Sequence, residues 1–576
     1  MSSLVALRSA KNIHDLAKII GYKPKTLSYI LYKLQNNNKY HQFQIPKKSG
    51  GYRTINAPLE KLKKLQESLT NLLTNCINEL NSDQKYAPFS HAFIKDRSIA
   101  TNARLHKNKR WVLNFDIQDF FGSINYGRVR GILIKDRNFL LDPKVATLIA
   151  QIACHMNVLP QGSPASPILS NIVTRPLDLR FIRLAKKHGF TYSRYADDIT
   201  LSSNKKDLQF NLASISENKK WTLSSEISNL LGRSGFRINH QKTRLQYNKN
   251  RQTVTGLVVN KRINVPREYR KTIRSMVHKL VTTGSFSIPQ DFNAESNNNK
   301  NIETRIMQLQ GMLGYIDWVD MFSESLSSNC PFDEIRKEKQ SKSYQLKDLN
   351  SQEKTYRKFL LYSKFYAVQK PLIITEGKTD IDHLKIAINQ LYNFFPDLIE
   401  KIDNNKEIKF NVLPSTQRRT TALLGITGGT ANLNKFVAIY KNETKNFILP
   451  PQSQPVIILV DNDRGLKSLD NETQKHLDNN PLKPIYKNLY IASIPLADGK
   501  NAAAIEDLYE KGVLETTINN KKFNPNNKID TNKYYGKNIF VQKVIKENYQ
   551  DINFDGFKPL FEKIISIINE HRKSFH

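Results

Sequence analysis

Asp197 and Asp198 stand side by side in RYADDITLSS, residues 194–203, with strand-forming residues on both flanks. Successive side chains of a strand point to opposite faces, so two adjacent carboxylates approach one site only at the tip of a tight hairpin. A solvated Asp-Asp turn is the bland alternative. Upstream, LNFDIQDFFGSI places Asp116 at the end of an apolar run, with Asp119 about one turn on and Phe120-Phe121 behind it. Between the two, LPQGSPASPILSN is a Gly/Pro/Ser loop leading into a helix, able to present backbone and Gln161 to a flat substrate. Phosphoryl transfer on two Mg²⁺ ions needs carboxylates from separate chain segments, because the metals bridge the attacking hydroxyl and the leaving phosphate. Asp116, Asp197 and Asp198 supply that charge.

A second set of acids lies far downstream. In LIITEGKTD, Glu376 follows a short apolar run and precedes Gly377, and Asp380 enters a helix. In VIILVDNDRG, Asp461 and Asp463 are two apart and so share a side of an extended segment. Acids at the ends of two buried parallel strands can converge at the carboxyl edge of a sheet and hold Mg²⁺.

These residues need scaffolds. The 576-residue chain is too long for one ordinary core and predicts two to four domains. Lys and Arg number 88 against 52 Asp and Glu, a formal net charge of +36, while 39% of residues are hydrophobic. That balance predicts a folded protein whose main partner is a polyanion, nucleic acid before a membrane surface. No apolar run is long enough to span a bilayer, and the amphipathic N-terminus is unlike a signal peptide, so no membrane partner and a cytoplasmic location are expected. Three scattered cysteines offer neither a disulfide framework nor a zinc site.

Residues 1 to about 85 read as amphipathic helices interrupted by FQIPKKSGGYRTINAP, a hairpin turning at Gly50-Gly51. An α/β stretch follows to QTVTGLVVN near residue 260, and then helices to about 325, broken by the polar loop NAESNNNKN. The charge-dense segment from Asp333 to Phe359 reads as a linker or a solvated helix. Beyond it, PLIITEGKTD and PVIILVDNDRG carry the character of buried parallel strands.

In order along the chain, FDIQDFF, LPQGSPASPILSN, YADD, GFRINHQKTR and VTGLVVN resemble successive palm motifs of the reverse transcriptases. The resemblance implies that Asp116, Asp197 and Asp198 carry two catalytic Mg²⁺ ions and that Phe121 excludes a 2'-hydroxyl. It also implies that Arg53, with Lys47 or Lys48, neutralises the triphosphate of an incoming dNTP, that Gln161 touches the nucleotide, and that Lys242 gives a proton to the departing pyrophosphate. For each basic residue a solvated surface charge is the alternative.

Asn102-Ala103-Arg104-Leu105-His106 is similar to the NAxxH element of bacterial retron reverse transcriptases, and Val254-Thr255-Gly256 resembles their VTG element. That family implies a cognate noncoding RNA as partner, priming from a guanosine 2'-hydroxyl, and a branched RNA-DNA product. It implies RNA contacts at Asn102, His106, Val254, Thr255, Gly256 and, in the helical thumb, Arg267 and Arg270. The rival resemblance, a group II intron maturase, shares the LPQG and YADD motifs but here lacks an HNH-type Cys/His cluster.

The downstream acids, with LLGITGGTANLN between them, resemble a Toprim domain, the metal-binding fold of topoisomerases, primases and OLD-family nucleases. This implies Glu376 as general acid or base and Asp461 and Asp463 as ligands for one or two Mg²⁺ ions. Lys378 is near enough in sequence to meet a phosphate. Neither a tyrosine-bearing strand-passage domain nor a zinc module is present, which leaves a nuclease. AAAIEDLYE adds Glu506, with Asp507, as a further metal ligand; an acidic helix start is the alternative.

The expected fold is an α/β and α+β multidomain chain, a right-hand polymerase with fingers, palm and thumb followed by a Toprim parallel-sheet α/β domain. The expected segments are fingers and palm at 1–260, thumb at 261–325, a charged linker at 326–368, Toprim at 369–515, and a C-terminal helical extension at 516–576. The family context implied is antiphage defence with the nuclease as effector, acting on an unspecified nucleic acid. A homo-oligomer is compatible with all of this, and an assembly module without catalysis is the competing reading of the C-terminal half.

Overall fold

The computed structural model describes residues 2–35, 39–47, 50–82, 89–206, 212–215, 221–289, 302–342, 346–402, 405–414, 418–426, 430–448, 453–463, 465–466, 469–496, 501–526 and 530–575. The chain divides into two compact units, the first running to Arg267 and the second built mainly from Glu268 onward.

In the first unit, strands β1 (Tyr40–Pro46) and β2 (Tyr52–Pro58) pair as an antiparallel hairpin. The turn closes on Gly50 and Gly51, whose φ of 86° and 76° suit a residue without Cβ. Helix α1 (Glu60–Ser82) follows, and its Leu62, Leu65, Leu69, Leu72, Leu73, Cys76 and Leu80 repeat at helical spacing along one buried stripe. Helix α2 (Ile99–Arg104) starts from a Ser98 capping box.

The palm is a four-stranded antiparallel sheet. Its central strand β3 (Trp111–Ile117) lies between β5 (Asp198–Ser203) and β6 (Ile238–Tyr247), with β4 (Thr191–Tyr195) at the edge beside β5. In β3 every side chain but that of Asp116 is buried. Between β3 and β4 runs α3 (Ala165–His188), ended by Gly189 in the left-handed conformation. A small hairpin, β7 (Thr253–Val254) and β8 (Leu257–Val258), completes the unit.

The second unit begins with two helices, α4 (Arg267–Thr283) and α5 (Ile302–Ser328). The loop NAESNNNKN lies outside the described residues. The segment expected as a charged linker is largely helical, and its second half is interior. In α6 (Ser351–Leu361) and the turn after it, Phe359, Leu360, Leu361, Tyr362, Phe365 and Tyr366 are buried. Its two buried charges, Glu353 and Arg357, are paired inside the unit: Arg357 lies 2.9 Å from Glu443, while Arg419 bonds both Glu353 at 2.6 Å and Asp317 of α5 at 2.8 Å. Charge density alone cannot separate a solvated face from a set of buried ion pairs.

The core of this unit is a four-stranded parallel sheet in the order β10 (Asn411–Pro414), β9 (Leu372–Thr375), β11 (Val456–Val460), β12 (Leu489–Ser493). Strands β9 and β11 are buried throughout, as a sheet covered on both faces requires. Helix α7 (Asp380–Gln390) follows β9. The C-terminal helix α8 (Lys558–Phe575) sends Leu560, Phe561, Ile564, Ile567 and Ile568 into the same hydrophobic cluster as Ile373, Ile457 and Tyr490. The expected extension thus shares the sheet's core. No helix among the described residues is long and apolar enough to cross a membrane.

Candidate active site

Strand β3 delivers Asp116 directly opposite Asp198, the first residue of β5. Strands β4 and β5 pair Tyr195 with Asp198, so Ala196 and Asp197 form a two-residue hairpin loop. Ala196 has a φ of 53°, the left-handed region that disfavours a Cβ. That turn puts Asp197 on the same side as its neighbour, and the Asp197 carbonyl accepts a hydrogen bond from the Ile117 amide at 2.9 Å. The three expected carboxylates are therefore brought together across β3 and the turn.

The charge they concentrate is visible in their proton affinities. Burial, then the nearby Asp116 and Asp197, push the Asp198 carboxyl up to about 7 against the pull of Arg244 and Lys242. Asp197 is raised by burial and by Asp116, and is relieved in part by Lys242 and Arg53. Lys242 Nζ lies 3.0 Å from Asp116 Oδ2, with its side chain exposed. Arg53, exposed on β2, reaches the acids through its field; Lys47 is exposed at the end of the hairpin strand, and Lys48 lies outside the described residues.

Gln161 is half-buried, and its carbonyl accepts from the Asn56 amide of β2 at 2.8 Å. A Cβ at Gly162 would stand 2.9 Å from the Ile55 side chain, so glycine is what lets this loop close on the hairpin. Phe121 is half-buried, its ring against Phe120 and Phe93.

An arginine absent from the sequence-based expectations holds the turn. Arg194 is 1% exposed, makes a two-pronged bond to Asp178 of α3 at 2.7 and 2.8 Å, and donates to the Ala196 carbonyl at 3.0 Å. Tyr192 donates to the same Asp178 at 2.6 Å. Arg194 stands three residues before Asp197, and only the fold shows which way it points.

The residues expected to contact RNA divide. Asn102 and His106 are both fully buried, which closes them to direct contact. His106 bonds Ser193 and Ser202 on β4 and β5 at 2.7 Å each, and burial holds its imidazole down to about 3, hence neutral. Val254 is buried, while Thr255 and Gly256 form the tip of the β7–β8 hairpin with φ of 48° and 83°. The Thr255 hydroxyl donates to the Ile99 carbonyl of α2 at 3.1 Å, so the NAxxH and VTG elements are one assembly, with Arg104, Leu105 and the hairpin tip as its accessible parts. Arg267 is exposed at the start of α4, whereas Arg270 is paired with Asp320 of α5.

In the second unit, Glu376 follows β9 and Asp461 follows β11, both at the carboxyl edge of the parallel sheet. Burial, then Asp380, Glu376 and Glu506, push the Asp461 carboxyl up to about 7, with Lys537 opposing. Glu506 is 3% exposed. Asp380 and Glu506 are raised by burial too. Asp463 is exposed, and its carboxylate accepts from the Gly465 amide at 2.6 Å, apart from this group. Lys378 is exposed, and Asp507 caps its own turn through the Ala504 amide. The glycine turn after Ile426 lies outside the described residues. Asp380 and Lys537 join the cluster without having been assigned from sequence.

Among the described residues no three His, Cys, Asp or Glu side chains converge tightly enough to cage a metal ion as they stand. Both clusters nevertheless offer the hard oxygen donors that Mg²⁺ takes, at elevated proton affinities that a divalent cation would relieve.

Residues 45–259 match the family model of the reverse transcriptases (RNA-dependent DNA polymerases). The chain is 32% identical over 319 residues to the retron Mx65 reverse transcriptase of Myxococcus xanthus, covering 52% of this chain and 67% of that one. It is 31% identical over 272 residues to the retron Ec86 reverse transcriptase of Escherichia coli, covering 47% and 78%. The chain belongs to the retron reverse transcriptases. Among solved structures, the telomerase of Candida albicans aligns at 13% identity and a TM-score of 0.31, covering 71% of this chain and 66% of that one, a likeness too low to bear on the fold. This retron reverse transcriptase accordingly carries its polymerase motifs on the palm of the first unit, and enzymes of this kind work with a noncoding RNA template, dNTPs and Mg²⁺.

Proposed function

We propose that this enzyme copies a cognate noncoding RNA into branched RNA-DNA, and that its second unit is a Mg²⁺-dependent nuclease of Toprim type, acting in the cytoplasm as the effector of antiphage defence. The observation that carries the second half is the gathering of Glu376, Asp380, Asp461 and Glu506 at the carboxyl edge of a parallel sheet. A purely structural sheet edge has no use for that much buried negative charge.

In the polymerase, Asp116, Asp197 and Asp198 would hold Mg²⁺, which when bound lowers the proton affinity of the primer hydroxyl and steadies the leaving pyrophosphate. Arg53 and Lys47 meet the triphosphate, Phe121 sets the steric limit at the sugar, and Lys242 returns a proton to the leaving group. The primer hydroxyl is an RNA 2'-hydroxyl, a reading supported by the likeness to the retron enzymes. The VTG hairpin tip and the exposed cations of α4 contact RNA phosphates, while Asn102 and His106 support that surface from beneath.

In the second unit, Glu376 acts as general acid or base, and Asp461 and Glu506 as metal ligands; Asp463 would have to turn inward to join them. The hybrid retained by the polymerase restrains this site, and damage to the hybrid releases cleavage of a cellular nucleic acid. Retron membership sets aside the maturase reading. The assembly-module reading is separated by Glu376→Ala: a scaffold tolerates it, and a nuclease loses metal-dependent cleavage. The direct test is sequencing of nucleic acid co-purified with wild-type and Asp197→Ala/Asp198→Ala protein. A short DNA joined to one structured RNA, absent in the variant, is expected; recovery of no defined hybrid would remove the proposal.

A further inference from the structure

The acidic cluster of the second unit contains a cation of its own. Lys537, contributed by the C-terminal segment, places its ammonium 3.0 Å from each carboxylate oxygen of Glu506. Only Oε2 receives a hydrogen bond in good geometry; Oε1, fully buried, has the charge contact alone. Three acids act on this ammonium together. Besides Glu506, the carboxylates of Asp461 and Asp380 are near enough for their fields to act on it. Phe540, three residues on, is fully buried, stacks on Phe523 with ring centroids 4.2 Å apart, and packs beside His383 and Tyr509.

We propose that Lys537 is a resident counter-cation that occupies the acidic cluster in the metal-free state and must withdraw before a divalent cation is bound by Glu506 and Asp461. The inference rests on the reading of this cluster as a metal site, and it adds a regulatory device to it.

The geometry allows such an exchange. The backbone at Lys537 is fixed by its aromatic neighbours, while the ammonium sits at the end of a flexible four-carbon stem whose side chain is 30% exposed. Withdrawal therefore needs rotation of one side chain toward solvent and no movement of the sheet. A monovalent ammonium offsets one negative charge among Glu506, Asp461 and Asp380, whereas a divalent ion with several oxygen ligands offsets two. With Lys537 in place, the cluster is stable and metal-poor, a resting state set by the chain itself.

The test uses the full-length protein with Mn²⁺ as probe. Acylation of lysines read by mass spectrometry should show Lys537 protected without metal and several-fold more reactive with Mn²⁺, and Asp461→Ala should abolish the increase. Lys537→Met should tighten Mn²⁺ binding, followed by electron paramagnetic resonance, by between about 10- and 100-fold, the range over which neighbours of a metal site shift affinity. Mn²⁺ binding that does not depend on Asp461 would sink the metal-site reading and this proposal with it. Binding that depends on Asp461 but leaves Lys537 protected, or that weakens in Lys537→Met, would overturn the counter-cation alone. The acylation arm needs no substitution at Lys537, so misfolding of Lys537→Met does not blunt it.

Discussion

In the palm the acids sit on antiparallel strands and a hairpin loop; in the second unit they stand at the carboxyl ends of parallel strands. Both arrangements crowd negative charge until one member, Asp198 or Asp461, is pushed up to about 7, yet they are built differently. The antiparallel hairpin can aim adjacent acids at one place only by forcing Ala196 to a φ of 53°, a strain of roughly 1–3 kcal/mol, and by tying the loop to a buried Arg194–Asp178 pair. The parallel sheet needs no such turn, because strand ends already converge; its problem is counter-charge, met by Lys537. The palm cation on Asp116, Lys242, is mostly exposed, whereas Lys537 and Glu506 are largely enclosed. The first site is thus open to exchange with substrate, and the second is held by a group that must leave.

The widest separation of the two regions should come from reciprocal substitutions. Asp197→Ala/Asp198→Ala should reduce DNA synthesis at least about 10³-fold, as loss of charge stabilisation at a phosphoryl-transfer site does. Because it makes no hybrid to restrain the second unit, the purified variant should still cleave. Glu376→Ala should do the reverse, sparing primer extension while removing cleavage. If either substitution abolished both activities without lowering Tm, the two sites would not be separate chemistries.

Next in size is the strut under the palm turn. Arg194→Met leaves Asp178 buried without its partner, and breaking a buried pair in this way costs about 3–5 kcal/mol. A fall in denaturation midpoint together with lost primer extension is expected, with metal-dependent cleavage by the second unit less affected. Unchanged stability would mean that the pair is replaceable and that the turn is held by its strands alone.

The raised carboxylates give a pH signature of opposite sense to ordinary acid denaturation. Asp198 and Asp461 bind protons more tightly folded than unfolded, so each contributes stability that is fully present below the unfolded carboxylate range, near 4, and is lost as pH rises through about 7. Metal-free protein in chelator should therefore lose on the order of a few kcal/mol per site across that window. Asp198→Asn and Asp461→Asn should each flatten the profile, and Mg²⁺ should restore stability at the upper end. A profile unaltered by either substitution would show that the acids are better solvated than their burial implies.

How far these sites could be read from sequence follows from the range of the interactions that make them. Asp116, Asp197, Glu376 and Asp461 each end or interrupt an apolar run, a local signal, and the structure gathers all four into their two clusters. Lys537 is 31 residues from Glu506 along the chain and belongs to an Asn- and Lys-rich stretch where one more lysine carries no mark. Asp380 was visible only as a helix start, and Arg194 as one more basic residue before the turn. Asp463 shares a strand side with Asp461 only if the chain stays extended, and it instead enters a bend where its carboxylate binds the Gly465 amide. The charged stretch before β9 misled for the converse reason, since Glu353 and Arg357 find partners in distant segments that composition does not reveal.

The smallest expected effect concerns His106, where a sequence element associated with RNA turns out to be internal to the palm. Its neutral ring bridges Ser193 and Ser202 on adjacent strands, one of them in β5, whose first residue is Asp198. His106→Ala leaves two buried hydroxyls without this partner, a loss of about 1–3 kcal/mol. Because burial holds the imidazole down to about 3, below its ordinary value of 6.5, the unfolded chain takes up the proton first. This group's contribution is therefore complete above about 6.5 and declines as pH falls toward 3. The wild-type protein should lose more stability than His106→Ala across that acid window. RNA affinity of His106→Ala, measured at a temperature where both proteins are folded, should stay close to wild type, because the ring has no exposed surface with which to touch RNA. A large loss of affinity with an unchanged denaturation midpoint would instead place His106 at the RNA surface and require the α2 segment to open on binding.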